Sequence, residues 1–455
     1  MRREPEIAAE GAEVVRTQGV DRHEQQHARR RGPRAADGRD RHGREQEAAR
    51  SAHAAKLARR PALGSHLAAP SLAPASASRA SRGPRDMRCA GGSPTVTRMA
   101  RRQEQEPAAP DVTEVAPSVL RMQLPIALPG LGHVNCYALL DRRGAAVVDP
   151  GLPGPATWRA IQDRLRKAGL SPKHVHTVII THSHPDHFGG AGRFAKESGA
   201  QVVAHRAFSF GQPVPAPEVS VEDLEADVDA DREREAAEPE EPTSNVADGR
   251  TPWGGQRPRP PFLTRMKWML MHRLGAAIVP TITHPVEHGD VLELAGREWF
   301  VVHTPGHTAD HFCLHDPESG VMLAGDHVLP SITPHISGIT SSVDPLSTFF
   351  YSLDRVAEIS GVKQVLPAHG HPFENLRNRT EAIKRHHYER LERLREIARE
   401  LGPAPVRAFS EHLFAPRNWG AMAESETYAH LEHLRIAGRA ERRVERDGTY
   451  FYALD

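Results

Sequence analysis

The chain has only three cysteines in 455 residues, Cys89, Cys136 and Cys313. They are too few and too scattered for a disulfide framework or a thiolate zinc site, and such sparse thiols point to a reducing cytoplasm as the compartment. Aromatic residues are scarce at 5%, and hydrophobic residues reach only 38%, so part of the chain is expected to lack a core. No stretch approaches the roughly 18 apolar residues of a membrane span, and the N-terminus has no apolar core of a secretory signal. A net charge of one sign is missing too: Lys+Arg 59 against Asp+Glu 58 leaves +1. That balance conceals opposite blocks, about +9 over residues 1–106 and about −10 over residues 217–242.

The blocks divide the chain. Residues 1 to about 110 are rich in Arg, Ala, Gly, His and Pro, as in His27-Ala28-Arg29-Arg30-Arg31-Gly32-Pro33-Arg34. With almost no periodic apolar face, they cannot bury enough area to offset their ordering entropy, and a disordered basic extension is predicted. The acids Glu4, Glu6, Glu10, Glu13, Asp21 and Glu24 argue against a transit peptide, which should be poor in them. A catalytic unit is expected over 111–379, interrupted at about 211–260 by an acidic insertion whose like charges repel and stay solvated. Phe262 to Leu274 resumes as a short apolar helix. Residues 380–455 read as a separate helical unit. Leu391, Leu394, Ile397 and Leu401 share one helix face, Val406 to Phe414 and Glu424 to Ala437 give two more helices, and a hairpin turns at Asp447-Gly448. Three helices and a hairpin suggest a winged helix. Its third helix mixes His430, His433, Arg435 and Arg439 with Glu426 and Glu432, so nucleic-acid binding is not favoured by charge.

What the chain has in abundance is histidine at strand exits. The apolar run Val178-Ile179-Ile180 empties into Thr181-His182-Ser183-His184-Pro185-Asp186-His187-Phe188-Gly189-Gly190, the pattern of a buried strand leading into a loop and a helix start. His182-x-His184 aims both rings to one side of an extended backbone, whereas the adjacent Asp186 and His187 point differently. Such an arrangement suits two neighbouring metal ions. Further potential ligands follow other strands: Asp149 after Ala145-Ala146-Val147-Val148, His307 after Trp299-Phe300-Val301-Val302, Asp326 after Val321-Met322-Leu323, and His369 after Val365-Leu366. Their recurrence predicts a single site along one edge of a layered αβ sandwich.

Together these residues resemble the metallo-β-lactamase fold superfamily, whose hallmark is an HxHxDH motif followed by a distant His, an Asp and a final His. The resemblance covers about residues 115–375. It implies an α+β fold, an αββα sandwich here carrying the winged-helix-like C-terminal domain. By the same resemblance His182, His184 and His307 are ligands of a first metal, Asp186, His187 and His369 of a second, and Asp326 bridges both. Asp149 resembles a buried aspartate that supports the site, while His303, His311, His327 and His371 match no ligand position. The appended domain resembles the beta-lactamase-like protein 2 group, itself similar to glyoxalase II. The glutathione-binding motif of glyoxalase II is not recognisable, which argues against hydroxyacylglutathione as substrate.

Five imidazoles and two carboxylates without thiolate suit zinc, two ions per chain, and iron or manganese is compatible with the same donors. The expected reaction is hydrolysis of a small-molecule substrate by a hydroxide held between two ions, with Asp186 orienting the attacking water. A thioester or small acyl ester is the first choice. The alternatives are endoribonuclease action on single-stranded RNA, which ordinarily needs a basic track with stacking aromatics, and a mononuclear iron oxygenase of thiols or persulfides, which leaves Asp326 and His369 without a role.

Overall fold

The computed structural model describes residues 102–128, 130–210, 251, 253, 254, 266, 279–340 and 342–455. The predicted extension up to residue 101, nearly all of the acidic insertion and the Phe262–Leu274 helix lie outside them.

Strict alternation builds the first sheet. Strands β1 (Val112–Ala116), β2 (Val119–Leu128), β3 (Leu131–Asp141) and β4 (Gly144–Val148) form an antiparallel meander, and β5 (Val175–Ile179), β6 (Gln201–His205) and β7 (His284–Val286) extend it in parallel. Along β3 and β4, Tyr137, Leu139, Ala146 and Val148 face one way, and Cys136, Ala138, Ala145 and Val147 the other. The outer set is covered by helices α1 (Pro155–Lys167), the single turn α2 (Pro185–Phe188) and α3 (Ala191–Ser198), through Trp158, Ile161, Leu165, Phe188 and Phe194. The inner set meets the second sheet.

That sheet orders β12 (Gln364–Pro367), β11 (Val321–Gly325), β10 (Phe312–Asp316), β9 (Arg297–His303) and β8 (Val291–Leu294). Trp299, Val301, Phe312, Leu314, Leu323 and Leu366 interdigitate with the first sheet, each fully buried side chain contributing about 1.5–3 kcal/mol. Val302, Cys313, Met322 and Val365 point outward onto α4 (Pro345–Ala357) and α5 (Leu376–Leu401). Asp344 caps α4 by accepting the Ser347 amide at 2.9 Å, with Pro345 at its first position. The result is helix, sheet, sheet, helix, as expected for an αββα sandwich. Among the described residues no helix is long and apolar enough to cross a membrane.

Two expected boundaries change. The cut between 379 and 380 falls inside α5, which carries Ile383, Leu391, Leu394 and Ile397 into the same core as Phe349 and Leu353 of α4. An unbroken apolar face continues through the point where the sequence changes character. Beyond it come β13 (Ala404–Pro405), α6 (Val406–Leu413), α7 (Ala421–Ile436) and the hairpin β14 (Ala440–Val444) and β15 (Tyr450–Leu454), with sheet order β13-β15-β14. At the other end, residues 102–110 are part of the fold and not of a disordered extension. Glu104 is fully buried in a short 3-10 turn, where its carboxylate accepts the amides of Ser331 at 2.8 Å and Ile332 at 3.1 Å and the Ser331 hydroxyl. Three hydrogen bonds to one side chain anchor a segment with no apolar pattern. Within the span assigned to the acidic insertion, Trp253 is buried, tilts against Tyr428 at 5.0 Å and donates to Glu424 at 3.3 Å.

Candidate metal centre

Parallel pairing decides where the polar residues gather. β4 and β5 run parallel, so Asp149 and the Thr181–His187 segment leave the first sheet at one edge. In the second sheet β9, β11 and β12 share a direction through the antiparallel β10, which sends His307, Asp326 and His369 to a common edge as well. Two glycines let the backbone enter. Gly306 has φ +135° and lies so close to α4 that a Cβ would sit 2.6 Å from the Phe349 Cα; Gly325, at φ +50°, would drive one to 2.5 Å from the His311 Nε2.

All seven predicted residues converge. In one group, donor atoms of His182, His184, His307 and Asp326 lie within 4.8 Å of one another; in a second, those of Asp186, His187 and His369 do. Asp326 faces both: its Oδ2 is 3.6 Å from His307 Nε2 and 3.6 Å from His187 Nε2, and its Oδ1 is 3.3 Å from His369 Nε2. Asp186 Oδ2 stands 3.5 Å from His187 Nε2 and 3.6 Å from His369 Nε2.

The rings are held from behind. Asp149, buried and at φ +52°, accepts the Thr181 amide and hydroxyl and the His187 Nδ1–H, each at 2.9 Å. Because the Thr181 hydroxyl donates to Asp149, it accepts from His182 Nδ1 at 3.0 Å. His307 Nδ1–H donates to the His335 carbonyl at 2.6 Å, and His369 Nδ1–H to the His133 carbonyl at 2.7 Å. In each of these four rings the hydrogen bond places a proton on Nδ1, so that the neutral imidazole presents Nε2 as an inward lone pair.

This donor set could hold divalent cations. The nitrogens of His182 and His184 are 3.0 Å apart, and those of His184 and His307 3.1 Å, so three ring nitrogens crowd a space that hydrogen bonds among themselves cannot satisfy. Among the described residues, the buried His187 Nε2, His369 Nε2 and Asp326 Oδ1 have no well-aligned hydrogen-bond partner. Burial pushes His182 and His184 well below the ordinary imidazole range and lowers His307. Burial also opposes protonation of His187 and His369, yet the carboxylates, Asp186 foremost for His187 and Asp326 for His369, outweigh it and raise both. Asp326 is held well below the usual carboxylate range because His369 and His187 outweigh its burial.

Several supporting residues carried no local signal. His133 is 236 residues from the ring it orients, and Asn135, whose amide donates to the carbonyls of Pro367 at 2.9 Å and Gly370 at 2.8 Å, is equally remote. His311 matches no ligand position, but its Nε2 accepts the Asp326 amide at 3.0 Å while Nδ1 meets the Thr304 hydroxyl at 2.8 Å. Asp310 accepts the Ser183 hydroxyl at 2.9 Å, bracing the residue between His182 and His184.

The fold and this donor set define a metal-dependent hydrolase. The sequence model of the Metallo-beta-lactamase superfamily matches residues 129–395, and the chain belongs to that superfamily, as a metallo-β-lactamase fold hydrolase. It is 24% identical over 355 residues to the Probable metallo-hydrolase YqjP of Bacillus subtilis, covering 74% of this chain and 97% of that one. It is 28% identical over 256 residues to the Acyl-coenzyme A thioesterase MBLAC2 of Gallus gallus, covering 53% and 74%. Among solved structures, the metallo-beta-lactamase family protein TTHA1429 of Thermus thermophilus matches with a TM-score of 0.55 at 28% identity, over 75% of this chain and all of that one.

Proposed function

We propose that the chain hydrolyses a thioester or small acyl ester with two divalent ions, zinc in the first instance. His182, His184 and His307 would hold one, Asp186, His187 and His369 the other, and Asp326 would lie between them. The observation that carries this reading is Asp326, whose two oxygens face imidazoles of both groups at 3.3–3.6 Å. When bound, such ions supply Lewis acidity and a water acidified toward neutral pH. The chain's own residues do the rest. Asp149, Thr181, His133 and His335 fix the tautomers of His187, His182, His369 and His307, so that the neutral forms of these four rings turn Nε2 rather than a proton toward the centre. Asp186, on the first turn of α2, presents a carboxylate that orients the attacking water and accepts its proton. The thioesterase name of MBLAC2 supports an acyl substrate.

We read the C-terminal unit as winged-helix-like and structural. Its α7, the helix that would enter a nucleic-acid groove, buries Ala423, Ser425, Thr427, Ala429, Leu431 and Leu434, and Glu432 is spent on Tyr452, Arg435 and Arg442. An RNA substrate therefore ranks second. The test is hydrolysis of acyl thioesters, single-stranded RNA and a cephalosporin by zinc-loaded protein, with His182→Ala as control. Thioesterase activity absent from the control is expected; RNA cleavage without thioesterase activity overturns the assignment.

A further inference from the structure

The ring of His307 takes its direction from a carbonyl in an irregular segment. His335 lies between β11 and α4, where no strand or helix holds the backbone among the described residues, yet its carbonyl accepts the His307 Nδ1–H at 2.6 Å. A carbonyl placed by a loop is only as fixed as the loop. Here the loop is docked on one helix. Glu426 of α7 faces the His335 Nδ1 at 3.4 Å and takes Arg390 of α5 on its other oxygen. One residue earlier, the Ser425 hydroxyl accepts the Gly338 amide at 3.0 Å and lies 3.3 Å from the Ser337 hydroxyl. Between these holds Ile336 is fully buried. Gly338 sits so tightly on α7 that a Cβ would come within 2.4 Å of Tyr428 and 2.8 Å of the Ser425 carbonyl.

We propose that Glu426 is a positioning residue for the metal centre: it fixes His335, whose main-chain carbonyl aims the His307 ring at Asp326 and His184. The C-terminal unit is thereby part of the site's construction, two hydrogen bonds behind a ligand. Burial opposes the charge on Glu426, but His335 and Arg390 outweigh it and hold the carboxyl well below its ordinary range. The same carboxylate stands near His387 and His430, close enough for three donors to share an ion. Those imidazoles are spent on each other. His430 Nδ1–H donates to the Glu426 carbonyl at 2.7 Å, leaving Nε2 to accept from His387 Nδ1 at 3.0 Å, and the Arg390 guanidinium repels a cation there.

The inference rests on the metal reading above and is tested on the full chain by three readouts. These are zinc equivalents retained after dialysis, zinc affinity against a chromophoric chelator, and the visible spectrum of the cobalt(II) form. Glu426→Ala should weaken one of two equivalents about 10–100-fold, the cost typical of removing a group behind a ligand, and alter the cobalt spectrum. Glu426→Gln keeps an oxygen acceptor for His335 and should lose less than about tenfold, while Ser425→Ala should weaken the same equivalent measurably. Glu432→Gln, which disturbs α7 without touching His335, should keep both ions and the spectrum. Wild-type affinity and spectrum in Glu426→Ala overturn the proposal. So does an equal loss in Glu432→Gln, or a third equivalent that disappears with Glu426. Should Glu426→Ala fail to fold, wild-type affinity in Ser425→Ala overturns it instead. Wild-type protein that binds no zinc would refute the metal reading itself, which distinguishes the two failures.

Discussion

Replacing Asp149 by asparagine changes almost nothing in shape and a great deal in proton bookkeeping. The carboxylate accepts three donors: the Thr181 amide, the Thr181 hydroxyl and the His187 Nδ1–H, each at 2.9 Å. Asparagine tolerates the left-handed φ of +52° and keeps one oxygen for the Thr181 amide. Its NH2 group then faces the other two donors. The Thr181 hydroxyl can turn and accept, still taking the His182 Nδ1–H on its second lone pair, but it then stops donating to position 149. The His187 Nδ1–H meets a donor head on, and the ring escapes by moving its proton to Nε2. That nitrogen lies 3.5 Å from Asp186 Oδ2 and 3.6 Å from Asp326 Oδ2, so the new proton occupies the direction a cation requires. Losing a charge-assisted bond costs about 1.5–3 kcal/mol, and affinity for one ion should fall about 10–100-fold. The assay is chelator competition, with urea unfolding of the chelated protein beside it. Wild-type affinity for both ions, together with a stability loss under about 0.5 kcal/mol, would refute the role given to Asp149.

Other expectations follow from particular contacts. Protein beginning at Arg102 should melt and turn over like the full chain, whereas Glu104→Ala, which strands the amides of Ser331 and Ile332, should lose about 1–3 kcal/mol in denaturant unfolding; equal stability of all three would contradict the anchor. Burial raises the carboxyl of Asp310 to about 6. A raised acid binds its proton more tightly folded than unfolded, so its stabilising contribution is present below about pH 4 and is lost as pH rises through about 6. Asp310→Asn, which keeps an acceptor for Ser183, should gain stability over wild type between pH 4.5 and 7.5, by on the order of 2 kcal/mol. Parallel pH profiles of the two proteins would contradict this.

The sandwich and the convergence of seven donors were legible because both depend on local pattern. Short apolar, β-branched runs at Ala145-Ala146-Val147-Val148 and Val178-Ile179-Ile180 mark strands, and His or Asp beyond each strand end marks a shared edge. What sequence reasoning missed is held by long-range bonds between unlike segments. Glu104 sits in composition that reads as disorder, and only Ser331 and Ile332, 227 and 228 residues away, give it a role. His133 and His335 meet the ligand rings through main-chain carbonyls, which every residue has, so that contact leaves no mark in the sequence. The boundary expected at residue 380 failed because α5 serves both the sandwich and the C-terminal unit with one continuous apolar face.

If two ions share the Asp326 carboxylate, as proposed, metal counts on Asp326→Ala and wild type must differ. Elemental analysis of zinc-loaded, dialysed protein should give about two equivalents for wild type. The variant, having lost the oxygens that lie 3.3–3.6 Å from imidazoles of both groups, should retain fewer and lose nearly all turnover. One equivalent or none on wild type, or two on the variant, would rule out a carboxylate shared by two ions.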